Sequence, residues 1–168
     1  NSDMRSPNSV HVLPPVVPSY VANDWMEIVT DRSHWVHPDC TSTPERRSKT
    51  YRLLNIDKVN ELDELGKWLE SFTSDGLSRN AADKSNAALH AVMAIQDEAD
   101  PKVIDDVEEI ARMSQIVLLE SGAWARPSRG QAVLRSSVDD RGQNFVHPEV
   151  SDDDRSVQTL KELGVAQF

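Results

Sequence analysis

Cysteine, aromatic residues and long hydrophobic runs are scarce in this sequence of 168 residues, and each scarcity excludes a class of protein. The single cysteine, Cys40, excludes an internal disulfide and a cysteine-rich zinc module. No apolar run approaches the roughly 18 residues that a membrane-spanning helix requires. The six glycines are scattered, so no glycine-rich loop is present to cradle a phosphate. We therefore expect a soluble, cytoplasmic protein that binds neither a cofactor nor a membrane.

The net charge of −10 is concentrated in the middle of the chain. Residues 57–120 contain fifteen acidic and six basic residues, whereas the segments on either side are close to neutral. Such an acidic segment repels phosphate backbones, so nucleic acid is not the expected partner. We expect these carboxylates to cover the solvated faces of helices.

Prolines separate the first fifty residues from the remainder of the chain. Six of the nine prolines occur there, and each removes an amide donor and fixes φ. The pattern predicts an extended arm over residues 1–50, partly in short strands. Residues 23–29 are predicted to form one short helix or strand, and residues 41–49 a flexible loop. Residues 51–168 are predicted to form the folded domain.

Apolar periodicity predicts four helices in that domain, at about 58–74, 80–99, 101–114 and 152–163. Asp100 followed by Pro101 leaves almost no loop between the second and third helices, which predicts an antiparallel hairpin. The last helix is expected to begin after Ser151 as its cap and to end at Gly164. Short apolar segments at about 115–148 predict strands. The predicted fold class is α+β, with a helical hairpin and further helices packed on a small antiparallel sheet.

One local pattern recurs at a spacing of 110 residues. Residues 35–39 read Trp-Val-His-Pro-Asp and residues 145–149 read Phe-Val-His-Pro-Glu, with a looser echo, Trp-Ala-Arg-Pro, at residues 124–127. The residue before a proline is held extended, so each pattern is typical of a strand end with its aromatic residue in the core. So short a match does not establish a duplication.

Three segments of the second half of the chain stand out, namely Leu-Leu-Glu-Ser-Gly-Ala-Trp-Ala-Arg-Pro at residues 118–127, Phe-Val-His-Pro-Glu at residues 145–149, and the helical segment 155–163 that ends at Gly164. Through these segments, about a third of the chain resembles repeating, accessory regions of large sacsin-like proteins. That family joins an HSP90-like ATPase domain to long accessory regions, with chaperone-like roles in eukaryotes and defence-linked members in bacteria. The resemblance implies accessory scaffold here. The ATP-lid glycine motif and the Asn-plus-Asp constellation of that ATPase are missing from the sequence, so nucleotide binding does not carry over.

Candidate chemistry is confined to one short segment, in which His34, His37, Asp39 and Cys40 cluster. Zinc requires about four converging N, S or O ligands, and a thiol beside an imidazole can act as a nucleophile. The alternative to a scaffold is therefore a small metal-dependent or hydrolytic enzyme that uses this cluster. A third hypothesis is local nucleic-acid binding through the basic side chains Arg46, Arg47, Lys49 and Arg52.

The scaffold hypothesis assigns no catalytic, cofactor-binding or metal-binding residue to this chain, which would then not be an enzyme. The sequence begins at Asn1 and ends on apolar residues after a predicted helix stop. We expect it to be excised from a larger intracellular multidomain protein. The expected partners are other domains of that protein or a separate protein chain.

Overall fold

The structure is a computed structural model that describes residues 11–29, 34–55, 61–74, 80–134 and 144–167. These residues contain seven α-helices: α1 Ser19–Ile28, α2 Pro44–Leu53, α3 Glu61–Ser71, α4 Ala81–Glu98, α5 Pro101–Met113, α6 Pro148–Ser151 and α7 Asp154–Glu162. A 3-10 helix occupies Pro38–Thr41. The strands are two residues long each: β1 Val117–Leu118, β2 Trp124–Ala125, β3 Val133–Leu134 and β4 Ala166–Gln167. The fold class is α+β, as the sequence predicts.

Helix α4 lies at the centre of the fold and packs against α1, α3, α5, α6, α7 and β1. Its buried residues include several small ones, which let neighbouring helices approach closely, namely Ala82, Ala88, Ala91 and Ala94. Leu89, Val92 and Ile95 fill the space between the axes and are fully buried. None of the helices in the described ranges is long and apolar enough to cross a membrane.

The predicted hairpin of α4 and α5 is confirmed, with bounds within one residue of the prediction at each end. The Asp100 carboxylate caps α5 by accepting a hydrogen bond from the Lys102 amide at 3.0 Å. Pro101 takes the first helical position, where a missing amide has no cost. The local sequence therefore determines this corner of the fold.

The strands form two small pairs, one antiparallel and one parallel. β1 and β2 pair antiparallel around a turn at Gly122, whose φ is +88°. β3 pairs in parallel with β4. The prediction of an antiparallel sheet within residues 115–148 holds for the first pair. It misses the second, because β4 lies beyond the predicted range, after the last helix.

The prediction of an extended arm over residues 1–50 is wrong where the structure describes it. Two helices, α1 and α2, lie there, and α2 replaces most of the predicted loop at 41–49. Pro18 and Pro44 stand at the starts of these helices, where proline is compatible with helix geometry. The segment also contributes to the common core, through Leu13, Val17, Val21, Ala22, Trp25 and Val29. Residues 1–10 lie outside the described residues.

Few as they are, the aromatic residues are concentrated where the N-terminal segment meets α3. The Trp25 ring lies 5.6 Å from that of Trp35 and 6.1 Å from that of Trp68, which in turn contacts Phe72 at 5.1 Å. The Trp25 indole also donates a hydrogen bond to Ser71 Oγ at 2.8 Å. Rings at these separations add favourable edge contacts to their buried area. They join the predicted arm to the predicted domain.

Helix α3 confirms the prediction at 58–74 over Glu61–Ser71, and residues 58–60 lie outside the described residues. The last predicted helix, 152–163, begins later than expected. Ser151 ends α6, and the cap of α7 is Asp153, which accepts a hydrogen bond from the Ser156 amide at 2.9 Å. Gly164 follows the helix with a φ of +98°, which confirms the predicted stop.

Candidate functional site

The candidate ligand cluster lies at and just before the start of the 3-10 helix. His37 precedes the 3-10 helix, and its Nδ1 accepts a hydrogen bond from the Asp39 amide at 3.1 Å. The Asp39 carboxylate lies 3.7 Å from the same ring on an exposed surface. Cys40 is exposed. Across the described ranges, which include His34, no three His, Cys, Asp or Glu side chains are grouped to hold a metal ion.

His147 has the same role 110 residues later. Its Nδ1 accepts a hydrogen bond from the Glu149 amide at 3.2 Å, and Pro148 begins α6. The backbone of His37 has φ −57° and ψ 137°, and that of His147 has φ −55° and ψ 139°. An amide can only donate, so both rings present an unprotonated Nδ1 to the helix start. The repeated histidines cap helices.

The extended segments that lead into these caps are also equivalent, and each forms an isolated β-bridge. The His11 amide donates to the His34 carbonyl and the Val36 amide donates to the His11 carbonyl. In the second copy Val133 takes the place of His11. Its amide donates to the Asn144 carbonyl, and its carbonyl accepts from the Val146 amide. All four bonds are 2.8–2.9 Å long. Both bridges are parallel.

The equivalence continues through the following helix. Thr43 caps α2 by accepting from the Arg46 amide at 3.1 Å, just as Asp153 caps α7. Each helix is followed, two residues after its last residue, by a residue with positive φ: Asn55 at 55° and Gly164 at 98°. We name residues 34–55 the first His-Pro unit and residues 144–164 the second His-Pro unit. The looser match at residues 124–127 begins with β2, and the described residues that follow it, 128–134, contain no helix.

The two units differ in what covers them. In the second, α7 packs on α4 and buries Ser156, Thr159, Leu160 and Leu163. Asn86 of α4 donates to the Glu149 carbonyl at 3.2 Å and accepts from the Ser156 hydroxyl at 2.7 Å. In the first, α2 buries no residue. The Asp39 carbonyl, which corresponds to that of Glu149, accepts instead from the Arg46 guanidinium at 3.3 Å.

A second contact between α4 and the second unit joins His90 to Asp153, whose Nε2 and Oδ1 atoms are 2.8 Å apart. Burial acts to raise the pKa of Asp153. The hydrogen bonds from His90 and the Ser156 amide, with the charge of a protonated His90, more than offset burial and hold the pKa below its usual value. Sequence reasoning missed this pair, because its members lie 63 positions apart.

Beside this pair lies a cleft of about 260 Å³ between α1 and α4. Its charged and polar lining residues are Tyr20, Asp24, Glu27, His90 and Arg155. The cleft therefore presents carboxylates opposite a single guanidinium. A second depression of about 400 Å³ separates residues 13–23 from the first His-Pro unit.

The basic residues of the third hypothesis lie on α2, but they point in two directions. Arg47 is half-buried and donates to the Thr41 carbonyl at 3.2 Å. Arg46 lies on the opposite, exposed face with Lys49 and Arg52. Leu53 lies among them and is 77% exposed. The sequence does contain a signal for this helix, which the loop prediction passed over: Thr43 is followed by Pro44 and Glu45, and a capping residue, a proline and an acid favour a helix start.

Comparison of the chain with protein-family models, with curated proteins and with solved structures finds no match. The candidate site therefore rests on the geometry of the two His-Pro units. The feature that distinguishes them is the exposed, basic face of α2.

Proposed function

We propose that this chain is a non-catalytic protein-interaction domain, and that the exposed face of α2 binds another protein. One observation carries the proposal: the same structural unit occurs twice, and its helix is covered by α4 in one place and, among the described residues, left uncovered in the other. Leu53, on the uncovered helix, exposes 77% of its surface to solvent. A binding surface on this face would have Leu53 as its apolar centre and the basic side chains as its polar rim, an arrangement that protein interfaces share.

The proposal extends to the setting of the domain. We place it in a larger, cytoplasmic, multidomain protein as an accessory region of the sacsin-like kind. Support comes from the residues behind the resemblance, since His147 and Gly164 begin and end helices instead of forming a reactive centre. Residues that begin and end helices suit a scaffold.

A charge-reversal experiment tests the binding face. The double variant K49E/R52E reverses the charge of α2, and R129E/K161E makes the same change in net charge at exposed positions elsewhere. We expect proteins retained by the immobilised wild-type chain from its native cell extract to be lost with K49E/R52E and kept with R129E/K161E. Both variants are expected to unfold at the wild-type temperature, because surface substitutions usually change stability by less than about 0.5 kcal/mol.

Quantitative mass spectrometry of the retained proteins gives the measurement. Equal recovery with wild type and both variants would contradict the proposal. A retained nucleic acid in place of protein, lost with K49E/R52E, would favour the third hypothesis instead.

A further inference from the structure

The partner of the α2 face is indicated by its charge. Within the described part of the chain, Lys49 and Arg52 form no ion pair and no side-chain hydrogen bond. Arg46 is occupied locally, by the Asp39 carbonyl and the Ser42 hydroxyl. The free charge of the face therefore belongs to Lys49 and Arg52. A surface of this kind favours an acidic partner.

The second His-Pro unit shows that this side of the unit accepts a helix. Counted from the caps Thr43 and Asp153, the α7 residues buried against α4 correspond on α2 to Arg46, Lys49, Thr50 and Leu53. Three of these four are exposed. The face of α2 that lies open is thus largely the face that carries a helix in the other copy.

An acidic helix face of matching pattern is exposed on α5. Its outward residues are Lys102, Asp105, Asp106, Glu109 and Met113. The three carboxylates are unpaired within the described residues, and Met113 is 60% exposed. This face is distinct from the one that α5 packs on α3 and α4.

The two faces have the same order along the chain. On α2 the basic residues precede Leu53, and on α5 the acidic residues precede Met113. At 1.5 Å per residue, Arg46 to Leu53 spans about 10 Å and Asp105 to Met113 about 12 Å. A parallel alignment that places Leu53 beside Met113 brings Lys49 level with Glu109 and Arg46 level with Asp106. Arg52 then lies within one helical turn of Glu109.

We propose that the chain associates with a second copy of itself through the basic face of α2 on one copy and the acidic face of α5 on the other. The inference rests on the proposed function and names its partner. Because the two faces are different, the contact either closes into a two-fold dimer by being made twice or continues from copy to copy.

A charge exchange tests the contact. Sedimentation velocity of the whole chain at low salt is expected to show concentration-dependent association that weakens as salt is added. K49E/R52E alone and D106K/E109K alone are each expected to weaken association at least about tenfold. An equimolar mixture of the two variants is expected to restore it, because each α2 then meets an α5 of opposite charge. R129E/K161E is expected to associate like the wild type.

Three outcomes would overturn the inference. One is a wild-type chain that stays monomeric, and another is a mixture that associates no better than its components. A third is association that R129E/K161E abolishes as well, which would indicate net charge as the cause. If K49E/R52E still loses its retained proteins while the wild type is monomeric, the proposed function stands and only the identity of the partner is wrong. Salt-sensitive binding of a labelled oligonucleotide by a monomeric wild type, lost in K49E/R52E, would assign the face to nucleic acid.

Discussion

The two His-Pro units share a local geometry and differ in their surroundings. Both have a histidine cap, a proline at the first helical position, a parallel bridge and a helix that ends in positive φ. The second lies beneath α4, whereas the first presents its helix to solvent. Equal local geometry with unequal burial shows that the capping hydrogen bonds of this unit are present whether or not a helix covers the one that follows. Substitutions in the two units can therefore separate the contribution of capping to the free energy of unfolding from the contribution of burial.

The largest difference between the units is expected when a helix leucine is truncated. Leu160→Ala removes a fully buried side chain and should destabilise the protein by about 2–5 kcal/mol, since it leaves a cavity beneath α4. Leu53→Ala, which truncates the exposed leucine of α2, is the control and should change the free energy of unfolding by less than about 0.5 kcal/mol. Urea unfolding measures both. Equal losses would mean that α2 is covered in solution.

The helix caps provide the next comparison. Asp153→Ala removes the cap of α7 and its contact with His90, and we expect a loss of about 1–2 kcal/mol. Thr43→Ala removes only the cap of α2. Because α2 is exposed, it should increase local amide exchange in α2 and change global stability by about 0.5 kcal/mol.

Lowering the pH should remove the contribution of the Asp153 carboxylate to the stability of the protein. Its pKa is lowered in the folded state, so the stability it contributes is present above the unfolded value of about 3.9 and is lost as pH falls through the folded value. The gap in stability between wild type and Asp153→Ala should therefore close as the pH falls below about 4. Unfolding curves over that range measure the gap. A gap that widens in acid would exclude the ionised carboxylate as its cause.

Smaller effects are expected at the histidine caps. His147→Ala should cost about 0.5–1 kcal/mol because the Glu149 amide loses its acceptor, and His147→Asn should recover most of it, since asparagine also accepts at this position. His37→Ala should likewise lower stability more than His37→Asn, and both losses should be smaller than at His147. Thermal unfolding compares the four variants. If asparagine restores nothing, the ring acts through packing and not as a cap.

The smallest effect is expected from metal removal. Because His34, His37, Asp39 and Cys40 do not group as ligands, a chelator should leave Tm unchanged. Metal analysis should find no stoichiometric transition metal in the untreated protein. Cys40→Ser should also change stability by less than about 0.5 kcal/mol. Stoichiometric metal that is lost together with thermal stability would restore the enzyme hypothesis.

Local signals predicted well wherever the determining contacts are close in sequence. Asp100 and Pro101 gave the start of α5, and Gly164 gave the end of α7. The recurrence at residues 35–39 and 145–149 was visible, but its extension through the following helix was not. Arg46 has no sequence likeness to Ser156, although both occupy the position that follows a cap by three residues. The two units therefore share their backbone geometry at positions where their side chains differ.

The sequence by itself determined the α+β class, the hairpin of α4 and α5 and the helix stops, because these depend on periodicity and on hydrogen bonds that span a few residues. Only the tertiary structure decided that α1 and Trp25 belong to the core, that His90 meets Asp153, and that α7 is buried while α2 is not. The physical reason is that burial depends on which elements pack together over long separations in sequence. A capping residue can be recognised from its neighbours in sequence, whereas the exposure of a helix face depends on segments that are distant in sequence.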